Sequence, residues 1–232
     1  MCTVTYIPDA KGYTLTSNRD EDPSRMTLPP RHITVSTYKS IVAPVDKEKG
    51  GTWIATDNLG RTACLLNGAF MKHKRKSFYK RSRGSLIPEA YSYANFHEFM
   101  CCAILEGIEP FTLILIDELL QVLIWDGAKK YIQYLNTDRP HIWSSITLYD
   151  FKVQEHKQQI FRDFSEEHEA PTPDVILDLH GLKGSGEFVL DRQEVRTTSI
   201  TQVVSRGLTS NIQYFEMNPV MHEQRQYDEL KQ

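Results

Sequence analysis

The chain has 232 residues, 40% of them hydrophobic and 25% charged, the balance of a globular protein long enough to bury a sizeable core. No apolar run approaches the length of a membrane-spanning helix, and the opening MCTVTYIPDAKG lacks the basic and apolar regions of a secretory signal. A net charge of −3 and four cysteines (Cys2, Cys64, Cys101, Cys102) without a C-x-x-C pair argue against a disulfide scaffold and point to a reducing cytoplasm.

Residues Thr3–Ile7 and Tyr13–Ser17 are rich in β-branched and aromatic types and flank Pro-Asp-Ala-Lys-Gly, which predicts a hairpin with a five-residue loop. In that register Cys2 lies across from Asn18. Short strands follow at Ile33–Ser36, Ser40–Ala43, Thr52–Thr56 and Arg61–Leu66. Helices fit Ile87–Tyr93, with Pro88 near its start, and Phe96–Leu105, which carries Cys101 and Cys102 and is expected to bury at least one of them. A second hairpin, Phe111–Ile116 and Gln121–Trp125, turns at Asp117-Glu118 and leads to a strand at Tyr131–Leu135. Helices at Phe151–Ser165 and Pro173–His180 precede strands at Glu194–Val204 and Gln213–Phe215. No repeat or linker divides the chain, so residues 1–232 read as a single domain. Strands in runs with grouped helices imply an α+β fold of antiparallel sheets with helical cover, not an alternating parallel sheet.

Cys2 stands directly behind Met1. Loss of Met1 would place a thiol and a free α-amine on one residue, a nucleophile with its own general base. The competing reading is a small buried hydrophobe. The densest polar cluster, Ser17-Asn18-Arg19-Asp20-Glu21-Asp22, suits a turn before Pro23, yet the hairpin brings Arg19 and Asp20 beside the chain start. A guanidinium there favours the thiolate, and a carboxylate can hold an ammonium or orient a substrate amine.

From Lys72 to Arg83 the chain carries seven Lys or Arg and no acid, leaving 20 basic against 30 acidic residues elsewhere. With Phe78 and Tyr79 inside it, the run suits phosphate or nucleic acid. A solvated loop is the simpler reading, and the acidic remainder argues against a nucleic-acid partner. The Gly181–Gly186 segment lacks the P-loop order and reads as a loop. The eight histidines form no metal-binding pattern, so neither a metal nor a cofactor is expected. Trp53, Trp125 and Trp143 are expected in the core, with Gly50 and Gly51 allowing close backbone approach beside Trp53.

MCTVTY with Ser17-Asn18-Arg19-Asp20-Glu21, then Gly50-Gly51-Thr52-Trp53, a strand ending at Asn67, Ser82-Arg83-Gly84 and Arg196-Thr197-Thr198-Ser199 resemble the NRDE family, also called the Transport and Golgi organisation 2 family. The layout is similar, more distantly, to the choloylglycine hydrolase and penicillin V acylase group of N-terminal-nucleophile hydrolases. In that group the mature chain begins with Cys, an Arg and an Asp follow the first hairpin, and an Asn closes a strand after a turn like Asp57-Asn58-Leu59-Gly60. The resemblance implies a four-layer αββα sandwich, two antiparallel sheets flanked by helices. It implies that Cys2 is the nucleophile, that Arg19 and Asp20 support it, that Asn67 donates to an oxyanion, and that Arg196 lines the site. Asn18, Trp53, Arg83 and Ser145 are the further ligand-binding candidates. One departure stands out: Ser145 occupies the place of a second Asn, and a hydroxyl has one donor where an amide has two.

Two functions are therefore expected as alternatives. One is a hydrolase cleaving a non-peptide C–N bond of a small molecule through a thioester. The other is a non-catalytic carrier of haem or an acyl or lipid ligand, since the resemblance implies haem trafficking or lipid and acyl-CoA handling. In the carrier reading the basic stretch would meet propionate or phosphate groups.

Overall fold

The structure is a computed structural model that describes residues 3–183 and 186–217. Cys2 therefore lies outside the described residues, as does Met1. Among the described residues, twelve strands form two antiparallel sheets. The first contains β1 (Thr3–Asp9), β2 (Gly12–Glu21), β10 (His141–Ser144), β11 (Arg196–Arg206) and β12 (Thr209–Glu216), in the order β10-β1-β2-β11-β12. The second runs in sequence order from β3 (Thr27–Ser36) and β4 (Lys39–Asp46) through β5 (Ile54–Asp57) and β6 (Thr62–Asn67). It ends with β7 (Phe111–Ile116), β8 (Leu120–Trp125) and β9 (Lys130–Leu135). Helices α1 (Leu86–Ser92) and α2 (Phe96–Cys102) pack on the seven-stranded sheet, and α3 (Phe151–Glu167) and α4 (Pro173–Leu179) on the five-stranded one. This is the αββα sandwich.

The main core lies between the sheets and beneath α1 and α2, where Val4, Leu15, Ile54, Leu65, Phe99, Phe111 and Leu113 are buried. A second cluster, Ile7, Phe161, Ile176 and Phe188, seals α3 and α4 to the opposite face of the five-stranded sheet. Strands β7 and β8 are buried along almost their whole length, which accounts for their continuous apolar runs. Helices α2, α3 and α4 each start on a side-chain cap: Asn95 accepts from Glu98 N, Asp150 from Val153 N and Thr172 from Val175 N.

The first hairpin is tighter than expected. Asp9 pairs with Gly12 across a two-residue turn, because the Asp9 carboxylate accepts from Lys11 N at 2.8 Å. Pro8 is tolerated inside β1 because it lies past Tyr6, the last residue paired to β10. The register shifts by one, so Thr3 faces Asn18. Two other expectations change. Cys101 and Cys102 are both exposed, since α2 turns Phe96, Phe99 and Met100 inward and leaves those positions on its outer face. His141–Ser144, not expected to be a strand, is the edge partner of β1.

Candidate functional site

Strand β2 alternates its side chains between two environments. Arg19 points between the sheets, while Asn18 and Asp20 point toward the helices. The Arg19 guanidinium donates to Asp46 Oδ2 at 2.8 Å and to Thr198 Oγ1 at 3.1 Å, and lies 4.7 Å over the Trp53 ring. Arg25 donates to the same Asp46 oxygen at 2.6 Å and to Glu21 at 2.7 Å. Burial draws the Arg19 guanidinium below its ordinary value, and Glu21 and Asp46 pull it back up. Burial also works to raise Asp46, but the Lys49 N–H and the two arginines leave its carboxyl below the usual range. Charge in this cluster is thus fixed by mutual pairing.

Asp20 is held on the other side by two hydroxyls, accepting from Tyr149 at 2.7 Å and Thr197 at 2.5 Å. Asn18 is fully buried, donating to the carbonyls of His180 and Phe188 at 3.1 and 2.9 Å and bonding the His180 ring through its oxygen. The other His180 nitrogen meets Thr5 Oγ1 at 2.7 Å. Burial, with the neighbouring Lys157 cation, pushes His180 down to about 3, so it is neutral. Lys157, itself buried, donates to Thr3 Oγ1 at 3.0 Å and sits 4.2 Å over the Tyr149 ring. Asn18, singled out as a ligand-binding candidate, is thus committed to holding His180 and Phe188 against the sheet.

Asn67 ends β6, and its carbonyl accepts from Ser145 Oγ at 2.7 Å. Ser145 follows Ser144, which pairs with Thr3. One hydrogen bond therefore ties the two sheets together beside the first described residue. Next to Asn67, Gly68 has φ +88°, and a Cβ there would come within 2.5 Å of Ile146 and 2.9 Å of Thr147. Gly68 N and Arg83 Nη1 both donate to the Pro110 carbonyl, at 3.0 and 3.2 Å, so Arg83 also belongs to this end of β6. Arg83 pairs with Glu109 at 3.1 Å. Gly51 and Gly84 pack backbone to backbone, with a Cβ on either only 3.0 Å from the other's Cα, joining the Trp53 segment to the Arg83 turn.

Asn67, Gly68, Trp143, Ser144 and Ile146 line a cavity of about 190 Å³ with Thr112, Gln133 and Gln154. Trp143, expected in the core, is half-buried on its wall. A larger cavity of about 470 Å³, between Pro173 and the β11–β12 turn, holds none of the candidate residues. Arg196 lies across from Glu21 and pairs with Asp191 at 2.9 Å, while the two residues after it supply the contacts to Asp20 and Arg19. Cys64 is fully buried and its thiol is pushed up to about 12 by desolvation, which makes it a core residue and not a nucleophile. Among the described residues, no group of three or more His, Cys, Asp or Glu could hold a metal ion.

Sequence reasoning overlooked Asp46, Tyr149 and Lys157. Asp46 sits in the turn-like Asp46-Lys47-Glu48-Lys49-Gly50 stretch, where an acid reads as surface; the signal available was its place at a strand end just before Gly-Gly-Thr-Trp. Tyr149 and Lys157 carried no motif.

The family model for Transport and Golgi organisation 2 matches residues 1–218. The chain belongs to that family. No curated protein matches the sequence. Among solved structures, a mutant of conjugated bile acid hydrolase from Clostridium perfringens, its cysteine at position 2 replaced by alanine, is similar at TM-score 0.55 and 9% identity. The match covers 94% of this chain and 93% of that one. Penicillin V acylase from Agrobacterium tumefaciens gives TM-score 0.55 at 10% identity, covering 94% and 86%. A Caenorhabditis elegans N-acylethanolamine-hydrolyzing acid amidase ortholog gives 0.59 at 11%, covering 88% and 92%. At such identities the likeness establishes the fold, that of N-terminal-nucleophile hydrolases.

Proposed function

We propose that this member of the Transport and Golgi organisation 2 family is an N-terminal-cysteine amidohydrolase acting on a non-peptide C–N bond of a small molecule. The observation that carries the reading is the tie between sheets: Thr3 pairs with Ser144, and Ser145 holds Asn67 at 2.7 Å. Thr3, the residue that follows Cys2 in sequence, and Asn67 thus belong to adjoining strand ends. The named activities of the three structural neighbours, a hydrolase, an acylase and an acid amidase, support the same chemistry.

In this mechanism the α-amine of Cys2, freed by loss of Met1, takes the thiol proton and the sulfur attacks the amide carbonyl. Asn67 donates to the developing oxyanion. The amine proton passes to the leaving nitrogen, and water then hydrolyses the thioester. Arg19, fixed by Asp46 and Trp53, supplies positive potential that favours the thiolate. Asp20, oriented by Tyr149 and Thr197, holds the terminal ammonium. Ser145 acts by positioning Asn67. The cavity of about 190 Å³ falls below the roughly 300 Å³ of a drug-sized site, which suits a short acyl group better than haem.

Intact-mass measurement of the purified protein incubated with a panel of N-acyl amides tests the proposal. The expected result is a chain lacking Met1, an acyl adduct at Cys2 and product release, all but loss of Met1 abolished in Cys2→Ala. Retention of Met1 across the whole population, or equal turnover by Cys2→Ala, overturns it.

A further inference from the structure

The basic stretch 72–83 takes no part in the proposed chemistry, except at Arg83. It forms most of the loop between β6 and the Arg83–Ser85 turn, and that loop leaves the cavity wall directly, since Gly68 and Ala69 line the cavity. Both ends are anchored. His73 meets Glu109 at 3.2 Å, Lys80 N donates to the Gly107 carbonyl at 2.8 Å, and Arg81 bridges to Ile108.

Between those anchors the loop displays two kinds of side chain. Lys72, Lys74, Lys76 and Lys80 are exposed and have no ion-pair partner among the described residues, and Arg75 is exposed with only a 3.8 Å approach to Glu109. The nearby acids are already engaged: Glu109 by His73 and Arg83, and Glu89 by Arg81. Beside these cations are three exposed apolar side chains, Met71 at 78%, Phe78 at 75% and Phe70 at 47%. Phe70 packs edge-on against Tyr131, at 4.9 Å between ring centres, so the apolar surface runs on to β9, where Tyr131 and Ile132 are exposed.

A purely solvated loop has no use for large apolar groups in water, and a ligand that is only a polyanion gains little from Met71 or Phe70. Cations mixed with exposed apolar side chains match one surface chemistry, an anionic lipid bilayer, where head groups meet the lysines and the acyl boundary takes the apolar side chains. The acidic remainder of the chain opposes this weakly, because at physiological salt charges more than about 8 Å away are screened.

We propose that the 70–80 loop docks the protein on anionic membranes, with the mouth of the 190 Å³ cavity beside the lipid surface. The docking claim stands apart from the proposed hydrolysis, so it is tested on the full chain carrying Cys2→Ala as well as on the wild type. The probe is sedimentation with phosphatidylcholine vesicles containing about 30 mol% phosphatidylserine, against pure phosphatidylcholine. Binding to the anionic vesicles alone is expected, weakening with salt. Lys74→Gln with Lys76→Gln should lower the partition coefficient about thirtyfold, and Met71→Ser with Phe78→Ser at least about tenfold. Circular dichroism of these surface variants should match wild type. Equal binding to neutral vesicles overturns the proposal, as does undiminished binding by the lysine pair. Loss in the lysine pair but not in the apolar pair, with equal retention on heparin, also overturns it and identifies a soluble polyanion as the ligand.

Discussion

Strand β2 separates two polar networks that solve burial in opposite ways. On the side facing the second sheet, Arg19, Asp46, Arg25 and Glu21 keep their charges and cancel one another at 2.6–2.8 Å. On the side facing the helices, His180 has given up its charge, pushed down to about 3, and is held by Asn18 and Thr5 as a neutral ring. The difference follows from solvent. Arg25 and Glu21 remain partly exposed and relieve the desolvation of the charged cluster, whereas His180 is sealed beneath Phe188 with the Lys157 ammonium nearby. The charged side therefore holds fixed, mutually balanced charges near Thr3. The neutral side provides rigidity.

The comparison breaks most clearly at Asp46. Asp46→Ala removes the shared acceptor of two arginines and leaves Arg19 buried beside Trp53, so unfolding in denaturant should show a loss of about 3 kcal/mol. The Arg19–Trp53 contact should loosen with it, read as a change in tryptophan fluorescence.

The neutral network should reveal itself through pH. His180 is neutral in the folded chain down to about 3 and titrates near 6.5 when unfolded, so between those values the unfolded state binds more protons. Its stabilising contribution is complete above about 6.5 and falls as pH drops toward 3. From pH 6.5 to 5 the loss should approach about 2 kcal/mol, measured as a shift in denaturation midpoint. His180→Gln should flatten that slope; an unchanged slope would mean that other groups set it.

The smallest effect concerns the bond that joins the sheets. Ser145→Ala removes the donor to the Asn67 carbonyl and should cost about 1 kcal/mol. Under the proposed mechanism, any loss of turnover in this variant should appear in kcat more than in KM, since the hydroxyl bonds Asn67, the proposed oxyanion donor.

Much of the fold was legible because its signals are local. The Phe111–Ile116 strand begins and ends where its apolar run does, and helix starts at Phe96, Phe151 and Pro173 follow Asn95, Asp150 and Thr172, each of which accepts from an N–H of the first turn. Strand β10 was not legible, because His141–Ser144 has no pattern of its own and exists by pairing with β1. The hairpin register slipped by one because a single Asp9–Lys11 hydrogen bond chose a two-residue turn over a five-residue one.

The candidate site divides the same way. From residue types and the predicted hairpin came Cys2 as a chemically capable residue and the Arg19–Asp20 pair near it; the family resemblance added Asn67, Arg83 and Arg196. Only the tertiary structure decided that Arg19 and Asp20 face opposite sides of their sheet, that Asn18 is spent on the His180 and Phe188 carbonyls, and that Asp46, Tyr149 and Lys157 complete the surroundings. The reason is physical. Side-chain chemistry and strand pattern are carried by neighbours in sequence, but a buried charge finds its partner across 27 residues, as Arg19 does with Asp46, or across 129, as Asp20 does with Tyr149. Those pairings exist only once two sheets have packed.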